Sequence, residues 1–180
     1  MHTSWPCQEF TGARHLREAQ GAKSKEKGID LLTPGLHLLR IRWAHKPWVV
    51  ENVPTRETRA IMEPREGEYL TVLCGSMFGL QVERHRYFLT NFPVRQPACR
   101  HREAFPPDPV TGKPRPWGVW HVKGDSVPSG GRTALDAEHG RAVMGSHRLL
   151  PWDSLKEGFP PAYTSYIGAH LLTHLALEAR

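Results

Sequence analysis

Apolar residues recur at nearly helical spacing between Leu31 and Trp43, and this pattern predicts a helix. Thr33 stands directly before Pro34, an order typical of an N-cap and the first helical residue. Pro47 ends the pattern. The apolar face of this helix, which we expect to pack on a sheet, consists of Leu32, Leu36, Leu39 and Trp43.

Short apolar runs predict four strands around this helix. Residues 2–5 and 48–51 lie on either side of it, and strand, helix and strand in this order form a parallel crossover unit. Residues 70–73 predict a third strand, followed by a turn at Gly75-Ser76, and residues 87–92 predict a fourth. Further helices are predicted at 133–144, 153–157 and 165–178, and irregular structure at 10–28 and 95–130.

Composition bounds the class of protein. The chain has 180 residues, of which 39% are hydrophobic and 23% charged, as in a soluble globular protein with one domain as the default. No run approaches the roughly 20 apolar residues of a membrane helix, and no signal-peptide pattern opens the chain, so we expect a cytoplasmic protein and no membrane partner. The net charge of +6 favours a polyanionic partner, with nucleic acid the first candidate.

Three cysteines, Cys7, Cys74 and Cys99, do not make a disulfide framework, and their number leaves room for one reactive thiol. Cys99 precedes His101, and His121 and His139 follow, but this spacing fits no standard zinc pattern. We therefore expect no metal site.

Two short polar segments stand at predicted strand ends. Pro6-Cys7-Gln8 follows the first strand, and Glu51-Asn52-Val53 ends the second. In open parallel α/β sheets, functional groups lie just beyond the carboxyl ends of the strands. The pattern therefore predicts a thiol and a carboxylate delivered to one cleft.

These segments carry a resemblance to a known family. Pro6-Cys7, Glu51-Asn52-Val53 and the paired arginines of Val82-Glu83-Arg84-His85-Arg86 occur in the order and spacing of three motifs of DNA cytosine-5 methyltransferases. Residues 73–80 and 160–168 also resemble that family's segments. The chain thus resembles the C-terminal portion of such an enzyme, of the bacteriophage or bacterial type. One departure is that Val82 stands where the third motif usually has glutamine.

The resemblance implies an α/β fold: part of an S-adenosylmethionine-dependent, Rossmann-like methyltransferase sheet with a small irregular recognition segment. Residues 1–94 would be the catalytic part, 95–147 the DNA-recognition segment, and 148–180 a segment returning to the catalytic domain. The implied activity is methyl transfer from S-adenosylmethionine to C5 of cytosine in DNA, as in restriction-modification systems, inside a bacterial or phage-infected cell.

The resemblance also implies roles for individual residues. Cys7 would attack C6 of cytosine, Glu51 would act at N3 with a raised pKa, and Arg86, with Arg84 behind it, would bind O2 and a phosphate. Asn52 would brace its loop rather than touch the substrate. The residues implied in binding S-adenosylmethionine are Pro6, Tyr163 and Gly168.

Double-stranded DNA is the implied partner, with the target base flipped out of the stack. Its contacts are expected from the polar loop at 10–28 and from the segment at 95–135. The basic residues expected to bind DNA are Arg14, Arg100, Lys113 and Arg115.

The family's glycine-rich cofactor turn and the acidic residue after its second strand do not occur in the chain. Three explanations stay open: an incomplete gene product, one half of a split enzyme whose other chain supplies the cofactor domain, or a remnant that binds DNA without chemistry. Two other functions stay open as well. One is a non-catalytic or split-subunit DNA-binding fragment, and the other is an unrelated enzyme that pairs the Cys7 thiol with a histidine.

Overall fold

The computed structural model describes residues 1–5, 30–100, 120–121, 132–133, 136–147 and 151–179. The chain divides into two compact units. The first unit contains residues 1–72, 86–95 and 168–180, and the second contains residues 73–85 and 96–167. Pro6, Cys7, Arg14, Lys113 and Arg115 lie outside the described residues.

A mixed four-stranded sheet organises the described chain, with the strand order β1-β2-β4-β3. β1 (His2–Ser4) pairs in parallel with β2 (Val49–Asn52), and helix α1 (Leu32–Arg42) connects them, so the predicted crossover unit is confirmed. β4 (Arg86–Thr90) runs antiparallel to β2, and β3 (Tyr69–Leu73) lies beyond it. The α/β class is confirmed at this level.

Helix α1 packs three of the four residues of its predicted apolar face into the core of the first unit. The prediction is wrong for the fourth, Trp43, which caps the C-terminal end of the helix and is 37% exposed. Leu32, Leu36 and Leu39 are almost fully buried. The predicted N-cap is wrong, because Thr33 already lies inside the helix. Asp30 takes over the capping role from outside: its carboxylate accepts the Thr33 backbone N–H at 3.0 Å. The core cluster also contains Trp48, Val50, Met62 and Leu89.

A second helix, α2 (Arg56–Ile61), is not predicted from the sequence. It begins with a capping box in which the Thr55 hydroxyl accepts from the Thr58 N–H and the Thr58 hydroxyl accepts from the Thr55 N–H. The Thr58 hydroxyl also lies 2.5 Å from the carbonyl oxygen of Val53, to which it donates. These contacts fix the turn directly after β2.

The second unit has its own apolar cluster. Its members are Val82, Val143, Met144 and Leu155, with Leu80, Ala137 and Trp152 packed around them. A 3₁₀ helix, Gly75–Phe78, occupies the predicted turn, and helices α3 (Ala137–Val143) and α4 (Trp152–Glu157) match predicted helices. The short strands β5 (Trp120–His121) and β6 (Arg132–Thr133) pair in parallel, and β5 falls within the stretch predicted to be irregular.

The last helix, α5 (Pro161–Glu178), begins earlier than its predicted start at Ser165. Pro161 suits the first turn of a helix because its missing N–H would have no partner there. In the described part of the chain, no helix has both the length and the apolar content needed to cross a membrane.

Candidate active site

The carboxyl ends of β1 and β2 meet at one edge of the sheet because the two strands are parallel. Ser4 on β1 lies opposite Glu51 on β2. After Ser4 the chain continues to Trp5, whose indole packs on α1 at Gly35: a Cβ added there would lie 2.2 Å from a ring carbon. Because Gly35 has no side chain, the Trp5 indole can pack on the helix, and this contact fixes the strand end that leads into Pro6-Cys7.

Glu51 is the centre of a buried polar cluster in the first unit. The Ser4 hydroxyl donates to its Oε2 at 2.5 Å, and Arg86 Nε lies 3.3 Å from its Oε1. Glu51 is 6% exposed and Arg86 8%. Burial opposes the charged form of the carboxylate, whereas the guanidinium favours it.

Strand register explains why Glu51 and Arg86 meet. Glu51 lies opposite Phe88 in the antiparallel pair of β2 and β4. Side chains two residues apart on a strand share a face, so Arg86 lies on the same face as Phe88 and diagonally across from Glu51. The sequence motifs that carry these two residues are therefore brought together by long-range strand pairing.

Asn52 follows Glu51 and is fully buried. Its Oδ1 accepts the Val53 backbone N–H at 2.9 Å, a contact of the bracing kind expected for this residue. Its Nδ2 is buried without a hydrogen-bond partner within the described part of the chain. Most buried donors of this kind have a hydrogen-bond partner, so Asn52 Nδ2 is an exception among the described residues.

Arg84 is 1% exposed and belongs to the second unit. Its Nε donates to the carbonyl oxygen of Gly158 at 2.6 Å, and its own carbonyl accepts the Tyr163 hydroxyl at 2.6 Å. These bonds hold the segment that leads into α5. The expectation that Arg84 assists Arg86 in binding a base and a phosphate stays a prediction.

The residues expected to bind S-adenosylmethionine have different surroundings. Tyr163 is fully buried, stacks on Phe159 with the ring centres 5.9 Å apart, and uses its hydroxyl on Arg84. Gly168 lies on α5 with open space where a Cβ would stand. The role of these two residues in cofactor binding stays a prediction.

Arg100 is the one residue of the expected DNA-binding set that lies in the described ranges. It is exposed, and its backbone N–H donates to the Ser76 hydroxyl at 3.3 Å. Its side chain is thus available to solvent at the start of the segment expected to contact DNA.

A cluster that the sequence does not predict lies in the second unit. The ligand atoms of Cys74, His85 and Cys99 are all within 4.8 Å of one another. The spacing of Cys99 to the histidines that follow it predicts no metal site, but the structure places Cys99 beside Cys74 and His85. Intervals of 11 and 14 residues match no short metal motif, so the sequence offers no signal for this set.

Comparison with known proteins adds no assignment to this geometry. No protein-family model matches the chain, and a search of curated proteins returns no significant match.

Proposed function

We propose that this chain carries the base-binding and nucleophilic part of a DNA cytosine-5 methyltransferase, which transfers a methyl group from S-adenosylmethionine to C5 of cytosine. The observation that carries the proposal is the position of Glu51. Its carboxylate is buried between Ser4 on β1 and Arg86 on β4, at the sheet edge from which the chain leads into Cys7. A thiol, a carboxyl group and a guanidinium are the groups needed for covalent attack on cytosine.

The proposed attack begins when the thiolate of Cys7 adds to C6 of a flipped-out cytosine. A sulfur–carbon bond forms, and the electron pair of the C5–C6 double bond moves towards C5 and N3. Glu51 in its protonated form donates at N3 and stabilises the charge that the addition creates. Once C5 carries the methyl group, a base removes the C5 proton, and the electron pair of that C–H bond re-forms the C5–C6 double bond. The sulfur–carbon bond then breaks, and Cys7 leaves as the thiolate.

Arg86 would have two successive partners in this scheme. Without substrate its guanidinium pairs with Glu51 at 3.3 Å. A cytosine edge presents O2 and N3 side by side, so O2 would take over the guanidinium while N3 faces the carboxyl group. Release of Arg86 from Glu51 would favour the protonated carboxyl that donates at N3, because the nearby positive charge stabilises the ionised form.

S-adenosylmethionine supplies the methyl group in this reaction when it is bound. Of the residues expected to bind it, Tyr163 already uses its hydroxyl on Arg84. The glycine-rich turn typical of the family's cofactor pocket does not occur in the sequence. We therefore propose that a separate chain or segment completes the cofactor site, with double-stranded DNA as the substrate.

A second candidate is a DNA-binding subunit without chemistry of its own. The net charge of +6 and the exposed Arg100 favour DNA binding, and neither requires a reactive thiol. The two candidates differ in one property, because only the first forms a covalent bond to DNA.

Covalent trapping tests this difference. The full chain is incubated with duplex DNA in which a cytosine analogue that is more electrophilic at C6 replaces cytosine. Addition to such a base does not require the cofactor. We expect a denaturant-resistant complex with the unaltered chain, none with Cys7→Ser, and trapping at least about 10²-fold slower with Glu51→Gln, the scale of general acid catalysis.

Glu63→Gln is the matched control, because Glu63 is an exposed carboxylate whose side chain is 68% accessible. It should trap at the unaltered rate. DNA binding without trapping would favour the second candidate. A covalent complex that persists in Cys7→Ser would show that another group is the nucleophile.

A further inference from the structure

Cys74, His85 and Cys99 come from three separate parts of the second unit, and their arrangement has the character of a metal site. Cys74 follows β3, His85 lies in the extended segment before β4, and Cys99 lies in the irregular stretch that follows β4. Cys74 is buried, His85 half-buried and Cys99 exposed. The cluster thus has a closed side and a side open to solvent, through which an ion can enter.

From this geometry we propose that Cys74, His85 and Cys99 bind one Zn²⁺ ion. Two thiolates and an imidazole form a soft donor set that prefers zinc over magnesium or calcium. Three protein ligands leave a fourth position for water. The site does not depend on the methyltransferase proposal, because none of its ligands has a role in that reaction.

One of the three ligand–ligand distances already fits tetrahedral coordination, and the other two are close to it. With Zn–S at about 2.3 Å and Zn–N at about 2.05 Å, a tetrahedral nitrogen and sulfur lie about 3.5 Å apart and two sulfurs about 3.8 Å apart. His85 Nε2 lies 3.5 Å from Cys99 Sγ. The three ligand atoms lie within 4.8 Å of one another, so no pair must close by more than about 1.3 Å to reach its tetrahedral distance.

Groups around the ligands suit a bound cation as well. His85 presents Nε2 to the cluster and Nδ1 to Glu83, whose Oε1 lies 3.9 Å away. At 3.9 Å this carboxylate is beyond hydrogen-bond distance of the ring, but it lies on the side from which a carboxylate behind a histidine ligand orients the ring. The Ser76 hydroxyl lies 3.5 Å from Cys74 Sγ and 3.6 Å from Cys99 Sγ, where it can donate to a thiolate.

The local sequence explains why Glu83 lies beside His85. Val82 and Arg84 are buried, whereas Glu83 and His85 are half-buried, so burial alternates along an extended segment. Glu83 and His85 therefore share a face. Close approach of Gly75 to Val82, where a Cβ would lie 2.4 Å from the carbonyl oxygen, brings Cys74 beside the same segment.

Metal titration of the full chain tests the proposal. All variants carry Cys7→Ser, so that Cys74 and Cys99 are the remaining thiols. With reductant present, we expect about one equivalent of tightly bound Zn²⁺ by elemental analysis after dialysis. Co²⁺ should give a sulfur-to-cobalt charge-transfer band and tetrahedral ligand-field absorption, and Zn²⁺ should abolish both.

Cys99→Ser is the decisive variant, because Cys99 is exposed and its replacement should leave the fold intact, as circular dichroism can verify. It should weaken Co²⁺ binding by more than about 100-fold and remove part of the charge-transfer band. Glu83→Gln should weaken binding about tenfold, since it removes only the group behind the histidine. His147→Ala, at an exposed histidine of the same unit, should bind like the parent.

Three results would overturn the proposal. The first is a reduced chain that retains no metal after dialysis against micromolar Zn²⁺. The second is a Co²⁺ spectrum that does not change in Cys99→Ser. The third is a Cys74–Cys99 disulfide that forms readily while Zn²⁺ gives no protection of the two thiols.

Discussion

Neutralising either member of the Glu51–Arg86 pair should destabilise the first unit strongly. Neutralising both should lower the free energy of unfolding by much less than the sum of the two single losses. Unit charges 3.3 Å apart attract by about 5 kcal/mol at an effective dielectric constant of about 20. Desolvation of both groups offsets much of that attraction. Either single change leaves the other charge buried without this partner, and we expect a loss of about 3 kcal/mol in the free energy of unfolding.

A double-mutant cycle with Glu51→Gln and Arg86→Met measures the coupling. Urea unfolding at neutral pH, followed by circular dichroism and tryptophan fluorescence, gives the free energy of each variant, and coincident curves support a two-state analysis. We expect a coupling energy of about 1–3 kcal/mol. The exposed pair Arg59 and Glu63, whose charged atoms are 3.9 Å apart, should give only about 0.3–0.5 kcal/mol in the same cycle.

Additive losses at Glu51 and Arg86, within about 0.5 kcal/mol, would refute the reasoning. That outcome would mean that the two side chains do not share an electrostatic contact in the folded chain. It would also remove the exchange of partners proposed for Arg86 during base binding. The trapping experiment is independent of this result, because it measures the thiol directly.

Two further predictions concern other parts of the chain. Burial acts to raise the pKa of Glu68, but hydrogen bonds from Arg40 and from the Arg65 N–H, with their charges, lower it overall. This contribution to stability should be full above pH 4.5, the ordinary pKa of the group, and should be lost as the pH falls through the lowered pKa of the folded state. In Glu68→Gln, the free energy of unfolding should therefore fall less steeply with decreasing pH below 4.5. An equal dependence on pH in both proteins would contradict this. Gly75→Ala should lower the free energy of unfolding by about 1–3 kcal/mol, because its Cβ would lie 2.4 Å from the Val82 carbonyl oxygen. Gly168→Ala is the control: it has open space on α5 and should leave stability unchanged or raise it. Thermal unfolding of both variants measures the difference.

Periodicity predicts an element best where its burial is one-sided. Helix α1 shows this directly: Leu32, Leu36 and Leu39 form its buried face in both sequence and structure. Boundaries are less predictable. Hydroxyl residues favour the cap position, which points to Thr33, but Asp30 reaches the Thr33 backbone N–H from outside the helix.

Helix α2 escapes prediction because its signals are short and unusual. It has six residues, and threonine stands at Thr58 where a capping box usually has glutamate or glutamine. The hydrogen bond from the Thr58 hydroxyl to the Val53 carbonyl, five residues earlier, ties the helix to the end of β2 and is not part of the usual capping box. Short helices of this kind depend on their neighbours more than on their own sequence.

The sequence identifies the residues of the candidate site but does not predict which of them touch. Motifs single out Glu51 and Arg86, yet their ion pair requires β4 to lie beside β2, which is a long-range pairing. The cluster of Cys74, His85 and Cys99 lies beyond sequence reasoning for the same reason, since its members meet only when three distant segments fold together.

The contact between Trp5 and Gly35 makes two distant positions share one volume. Tryptophan, the largest side chain, stands at position 5, and glycine, the smallest residue, at position 35. The indole fills the space that a Cβ at position 35 would take. A larger residue at position 35 would therefore displace the strand end that leads to Cys7, although it touches none of the reacting groups. A larger residue at position 35 would therefore fit best together with a smaller one at position 5, because close packing leaves no spare volume between them.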